Sequence, residues 1–210
     1  MTNLNVHKAQ NCVNCCSEPL IHSCEDILNY DRRIDYLKSS IASVKDFPKE
    51  GILFRDITTL LENPKAFKDS IDLLYEIYRD CTIDYVVAAD ARGFLFGSAL
   101  AYLLNSGVVL VRKKGKLPRE TYSQEYDLEY GTNTLEIAKD SLKKGDRVLL
   151  LDDLLATGGT AGAMVKLVRK SGAEIVSFAF IVELFDLGGA KLLEDSFNVN
   201  VKSLVKFPGH

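Results

Sequence analysis

The sequence predicts an α/β fold, a twisted parallel sheet flanked by helices, and three observations carry that expectation. Short, almost wholly apolar strand candidates recur at Tyr85–Ala89, Val108–Val111, Val148–Leu151, Ile175–Leu184 and Val201–Phe207. In the second half of the chain, runs with helical spacing alternate with these strands, as right-handed βαβ crossovers between parallel strands require. Polar clusters follow the strands, at Asp90–Gly93, Arg112–Lys114 and Asp152–Thr160. In a parallel sheet those are the strand ends that hold ligands.

Taken in order, residues 1–25 show no periodicity and read as an extension, poorly ordered and separate from a domain spanning 26–210. A helix is expected from Asp26, with Ile27, Leu28, Ile34, Leu37 and Ile41 at compatible spacings, ending before Asp46-Phe47-Pro48. Lys49-Glu50-Gly51 reads as a turn, and Ile52–Leu61 is apolar but of uncertain type. Asn63-Pro64 opens a second helix that carries Phe67, Ile71, Leu74 and Ile77 on one face. An Arg92-Gly93 turn precedes a helix through Leu104, and a glycine turn after Asp153 precedes one from about Thr160 to Ser171.

Charge and composition exclude several classes. Lys+Arg 26 against Asp+Glu 29 gives a net charge of -3, without the basic footprint of a nucleic-acid coat. A hydrophobic share of 47% with 26% charged residues is that of an ordinary globular protein. No apolar run approaches the ~18–20 residues that cross a bilayer, and Met1–Gln10 lacks a signal peptide's apolar centre. The expectation is a cytoplasmic protein with neither membrane nor nucleic-acid partners. Cys12, Cys15, Cys16 and Cys24 crowd the extension while Cys81 stands alone. In a reducing compartment this argues against a disulfide framework. The Cys12-x2-Cys15 spacing, with His7 and His22 nearby, lacks the second Cys-x-x-Cys of a strong zinc signature, so no metal ligands are assigned.

The chemistry concentrates in Val148-Leu149-Leu150-Leu151-Asp152-Asp153-Leu154-Leu155-Ala156-Thr157-Gly158-Gly159-Thr160. Two carboxylates end a buried strand, then a small, hydroxyl-bearing loop enters a helix. Unpaired N–H groups at such a helix start favour a phosphate. Gly158 and Gly159 let backbone approach it, and Thr157 and Thr160 can add hydroxyl donors. Asp152 and Asp153 stand one step away, placed to accept from vicinal sugar hydroxyls. A phosphate cradle beside a diol reader describes a site for a ribose 5-phosphate. The bland alternative is a helix cap with two surface acids. Neither a P-loop nor a G-x-G-x-x-G spacing is present.

This stretch resembles the 5-phosphoribosyl 1-pyrophosphate (PRPP) motif of the type I phosphoribosyltransferases, and its wording is nearest to members acting on adenine. The resemblance runs from about Ile41 to the chain end and implies that family's fold, with a small N-terminal hood to which residues 41–62 contribute. Asp46–Thr58 is similar to the base-binding segment, which implies that Phe54 stacks on adenine while main-chain groups of Leu53 and Arg55 read its edge. The plain alternative puts Phe54 in the core. Asp90-Ala91-Arg92-Gly93 resembles the pyrophosphate loop, with Ala91 where the family usually has Ser. Arg112, Lys113 and Lys116 would face the pyrophosphate, unless the run is only a solvated basic surface. Tyr126-Asp127-Leu128-Glu129-Tyr130-Gly131 resembles the mobile catalytic loop, which implies Glu129 as acid/base group and a substrate contact from Tyr130; otherwise it is an ordinary hairpin.

The implied activity is that of a pentosyltransferase of purine salvage: adenine and PRPP give AMP and pyrophosphate. The resemblance further implies Mg2+ bound chiefly through PRPP and pyrophosphate, and a homodimer. Two alternatives stay open: another base (hypoxanthine, guanine or xanthine), or a PRPP-responsive regulatory module without catalysis.

Overall fold

The computed structural model describes residues 24–127 and 132–209. The chain enters on α1 (Cys24–Ser39), forms a hairpin from β1 (Ala42–Lys45) and β2 (Leu53–Asp56), and continues through α2 (Thr58–Glu62) into α3 (Pro64–Tyr78). Asn63 starts α3 in the way its sequence suggests. Its side chain accepts from the N–H groups of Lys65 and Ala66, and Pro64 fills the first turn, where a missing N–H costs nothing.

The remaining elements build the sheet: β3 (Tyr85–Ala89), α4 (Gly93–Leu104), β4 (Gly107–Lys113), β5 (Thr121–Asp127), β6 (Thr132–Ala138), β7 (Arg147–Leu155), α5 (Gly159–Ser171), β8 (Glu174–Leu184), α6 (Gly189–Phe197) and β9 (Val201–Phe207). The sheet order is β5-β6-β4-β3-β7-β8-β9. Strands β4, β3, β7, β8 and β9 run parallel, while β6 is antiparallel to β4 and β5 antiparallel to β6. The sheet is therefore mostly parallel, with an antiparallel hairpin on one edge that the sequence reading left as one of two alternatives. Only β5, at the edge, is largely polar; the second half of β6 is buried through Leu135, Ile137 and Ala138.

Alternation along the central strands divides the core. Val86, Leu149 and Leu151 pack with Leu37, Leu74, Tyr78, Phe96 and Leu100 from α1, α3 and α4 on one face. Val87, Val111 and Leu150 pack with Met164, Val168 and Leu193 from α5 and α6 on the other, beside Phe178 and Phe180 of β8. Each such side chain contributes roughly 1.5–3 kcal/mol of burial, so the strand ends rest on a rigid base. Three expectations need correction. The first helix ends at Ser39 rather than just before Asp46, because Ala42–Lys45 pairs with Leu53–Asp56 as a strand. β7 does not stop at Leu151: its ladder with β8 continues through Leu154↔Val182 and Leu155↔Glu183, so both carboxylates lie within the strand. The expectation of no disulfide framework fails at Cys81, which is disulfide-bonded.

Candidate active site

The chain leaves β3 through α4 to β4 on one side, while β7 flanks β3 on the other. That reversal opens a crevice at the C-terminal ends of β3 and β7, the usual ligand position in such sheets. Asp90 follows β3, Arg92 and Gly93 start α4, Asp152 and Asp153 lie in β7, and residues 156–160 lead into α5. The structure thus gathers three segments that are separated in sequence.

Within the crevice the two β7 carboxylates differ. Asp153 is buried, and its Oδ2 lies 2.6 Å from Arg92 Nε in an ion pair that lacks hydrogen-bond alignment. Asp152 Oδ1 accepts from the Asp153 N–H at 2.8 Å. Burial, then the charge of Asp153, pushes the Asp152 carboxyl well above the usual carboxylate range, and Arg92 opposes that shift. Gly93 makes the arrangement possible. A Cβ there would stand 3.1 Å from Asp152 Oδ1 and 3.2 Å from the Leu151 carbonyl, so any larger residue would press α4 away from β7.

The loop after β7 presents backbone. Gly158 takes a left-handed φ of 87°, and the first turn of α5 has neither a side-chain cap nor an acidic residue. Its outward N–H groups suit an anion. Thr157 is exposed at the loop's tip. The loop is backed by Gly189, whose Cβ would meet the Ala156 carbonyl at 2.2 Å. The sequence reading passed over this glycine, although Gly188-Gly189 before a helix was a visible signal of close backbone approach.

On the other side of β3, Arg112 Nε donates to Asp90 Oδ2 at 3.0 Å and Arg112 Nη1 to the Lys116 carbonyl at 3.4 Å. Asp90, expected to meet substrate, is thus engaged with Arg112. Lys113 and Lys116 are exposed, and no described acidic group forms an ion pair with either. The Asp90–Ala91 peptide is cis.

The hood is the β1–β2 hairpin. Phe54 is half-buried and belongs to neither core face; Phe47 meets it edge-on with centroids 5.1 Å apart. β2 pairs only with β1 among the described residues, which leaves its other edge open beside Leu53 and Arg55. The Arg55 side chain is buried: it donates to Ser43 Oγ at 2.6 Å and to the Pro208 carbonyl at 3.1 Å, and lies 4.5 Å from the Phe207 ring centre. It pins the hood to the end of β9, a role invisible in sequence. Glu129 and Tyr130 lie outside the described residues, between β5 and β6.

Residues 56–207, more than half of the chain, match the profile of the phosphoribosyl transferase domain. The chain belongs to this family. An adenine phosphoribosyltransferase of Escherichia coli O157:H7 (strain EC4115 / EHEC) is 58% identical over 179 residues, covering 85% of this chain and 97% of the relative. The crystal structure of adenine phosphoribosyltransferase from Thermoanaerobacter pseudethanolicus ATCC 33223 superposes with a TM-score of 0.79 at 49% identity, covering 83% of this chain and 99% of that one. The enzyme of Saccharomyces cerevisiae, solved with D-2,5-dideoxy-2,5-imino-altritol 1,6-bisphosphate and adenine, has a TM-score of 0.77 at 38% identity over 83% and 99%. As a phosphoribosyltransferase fold, the crevice combines paired carboxylates, an uncapped helix start and a cationic turn, a set suited to a phosphorylated sugar carrying a second polyanionic group.

Proposed function

We infer that the chain transfers the 5-phosphoribosyl group of PRPP to N9 of adenine, giving AMP and pyrophosphate. The observation that carries this reading is the apposition of the Asp152–Asp153 pair to the uncapped start of α5. Diol and 5′-phosphate are adjacent in PRPP, and the two recognition elements are consecutive in the chain. Ala156–Thr160 bind the 5′-phosphate, Asp152 and Asp153 the ribose hydroxyls. Arg92 and Gly93 of the α4 start, with Asp90, Arg112, Lys113 and Lys116, bind or frame the pyrophosphate. Arg92 guards Asp153 before substrate arrives and is released when the hydroxyls take its place.

Adenine lies against Phe54, its edge read by the main chain of Leu53 and Arg55 along the open side of β2. Arg55's buried side chain fixes that edge over the crevice. Glu129, with Tyr130 beside it, closes over the base and manages the purine proton as the bond to C1 forms. Closure also excludes water from the oxocarbenium-like centre, which water would otherwise capture.

Mg2+ would be carried chiefly by the phosphates of PRPP and pyrophosphate, its habitual ligands, leaving Asp152 and Asp153 to the ribose hydroxyls. It would neutralise the charge developing on pyrophosphate.

The protein works as a homodimer. Leu95, Tyr102 and Leu103 of α4 and Val108 and Leu110 of β4 are exposed, Tyr102 to 85%. Val108 and Leu110 pair in register with Val86 and Ala88, against which α4 packs. The patch is therefore continuous on one face, and a second copy covers it. The catalytic unit is residues 26–210, with 1–25 as an extension. Cytoplasmic residence follows from a substrate whose phosphates keep it from crossing membranes. Among the described residues, no helix is long and apolar enough to cross one.

Calorimetry tests the site. Asp153→Ala should fold and lose at least tenfold in PRPP affinity, about 1.4 kcal/mol, because a reader of the diol is gone. Unchanged affinity in a folded variant would remove the carboxylate pair from the sugar site.

A further inference from the structure

Glu136 is one of the few charged residues buried in this protein, at 7% exposure, and no part of the reading above uses it. It stands on β6 in register with Arg112 of β4 and Ser123 of β5, so the three side chains share one face of the sheet. Its two oxygens serve different donors. Oε2 accepts from the Gly115 N–H at 2.9 Å, and Oε1 from Ser123 Oγ at 3.2 Å.

Gly115 is the bend of the cationic turn that contains Arg112, Lys113, Lys114 and Lys116. Its φ of 79° needs a glycine. Around it the turn is stitched from several sides. Lys114 N–H donates to the Thr134 carbonyl at 3.1 Å, Lys116 N–H to the Lys113 carbonyl at 3.3 Å, and Arg112 Nη1 to the Lys116 carbonyl at 3.4 Å. Glu136 is the only side-chain acceptor among these contacts. It also brings negative charge to the face it shares with Arg112, whose Nε is paired with Asp90.

We propose that Glu136 is a positioning residue for PRPP: its carboxylate fixes the Arg112–Lys116 turn so that Lys113 and Lys116 meet the pyrophosphate group. The proposal rests on the phosphoribosyl-transfer reading, because that reading supplies the pyrophosphate. Two neighbouring groups can be separated experimentally. Contact with Gly115 shapes the turn, whereas contact with Ser123 only joins β6 to β5. A glutamine at 136 can still accept from the Gly115 N–H and donate to Ser123 Oγ, since a hydroxyl also accepts, but it removes the charge that strengthens the bond to Gly115.

The experiment uses the full chain. Inorganic pyrophosphate binding is measured by calorimetry with Mg2+ present, and KM for PRPP and, at saturating PRPP, for adenine by initial rates. For Glu136→Gln, pyrophosphate affinity should weaken and KM for PRPP rise by about threefold or more, as a charge-assisted bond to the Gly115 N–H becomes a neutral one. KM for adenine should stay within about twofold, because the hood is untouched. Ser123→Ala should leave all three values within about twofold. Unchanged PRPP and pyrophosphate values in Glu136→Gln, an equal loss in both substrates, or the same loss in Ser123→Ala would overturn the proposal. Should Glu136→Gln fail to fold, amide exchange in the wild type decides: the Gly115 N–H is protected if Glu136 holds it, and exchange at the unprotected rate contradicts the proposal. Failure of wild-type protein to bind pyrophosphate or PRPP at all would instead count against the phosphoribosyl-transfer reading.

Discussion

Asp152 carries a measurable penalty for standing where a sugar reader must stand. Burial and the neighbouring Asp153 charge raise its folded-state pKa above the unfolded value. Between those two values the folded state binds more protons than the unfolded one, so stability falls as pH rises through that window. Asp152→Asn removes the ionisation. Its Tm should exceed that of wild type at pH 7, and the gap should close as pH falls below the ordinary carboxylate value, where the folded and unfolded forms are both protonated. In a domain of this size each ~1 kcal/mol released raises Tm by about 2–4 °C. A Tm difference that does not change with pH would show that Asp152 ionises without cost. The proton of the purine belongs to a different residue. His7, His22 and His210 lie near the termini and away from the matched segments, and the β7 carboxylates are committed to the ribose. Glu129→Leu should therefore lower kcat by about 10²–10⁴ with little change in PRPP affinity. Glu129→Gln keeps the polar contacts without the proton. Near wild-type kcat in that variant across a pH series would leave Glu129 only an ordering role.

At the scale of elements, the central parallel strands were legible because strands buried on both faces are written as unbroken apolar runs, as at Tyr85–Ala89 and Val148–Leu151. The same signal ended β7 too early. Asp152 and Asp153 interrupt the apolar run, yet pairing to β8 carries the strand to Leu155. The phosphate loop was legible as a word of small residues, but its backing by Gly189 depends on α6, thirty residues later. Nothing local in sequence brings Arg55 to Pro208 or Glu136 to Gly115, since both contacts join segments that only the fold makes neighbours. α4 was read as a helix without a sense of how much of its apolar surface stays uncovered. That surface makes its own prediction. Light scattering should give twice the chain mass for wild type, and Tyr102→Glu, placing a charge in the patch, should shift the population toward monomer. A monomeric wild type at micromolar concentration would remove the dimer.

Across the whole molecule, a rigid double-faced core presents three fixed strand ends, and smaller, less buried segments surround the crevice they form. On the proposed reading, the sugar and its phosphate are met by the core, the pyrophosphate by the cationic turn, and the base by the hood. This division separates the functions that alternative readings would keep or lose. A regulatory module needs the core and turn but not a base site. An enzyme for an oxopurine needs a base site whose edge donors and acceptors are reversed. On the proposed reading, base choice rests on main-chain groups of Leu53 and Arg55, whose strand the buried Arg55 guanidinium ties to Ser43 and the Pro208 carbonyl. Backbone donors and acceptors in fixed positions reject a base of the wrong hydrogen-bond pattern strongly. The measurement that bears on this most directly is pyrophosphate release from PRPP with adenine, hypoxanthine, guanine or xanthine as the single added base. Release should depend on adenine, with AMP as the product and kcat/KM at least about 100-fold above that for any oxopurine. Equal or faster turnover of an oxopurine, or PRPP binding with no pyrophosphate released by any base, would contradict the assignment.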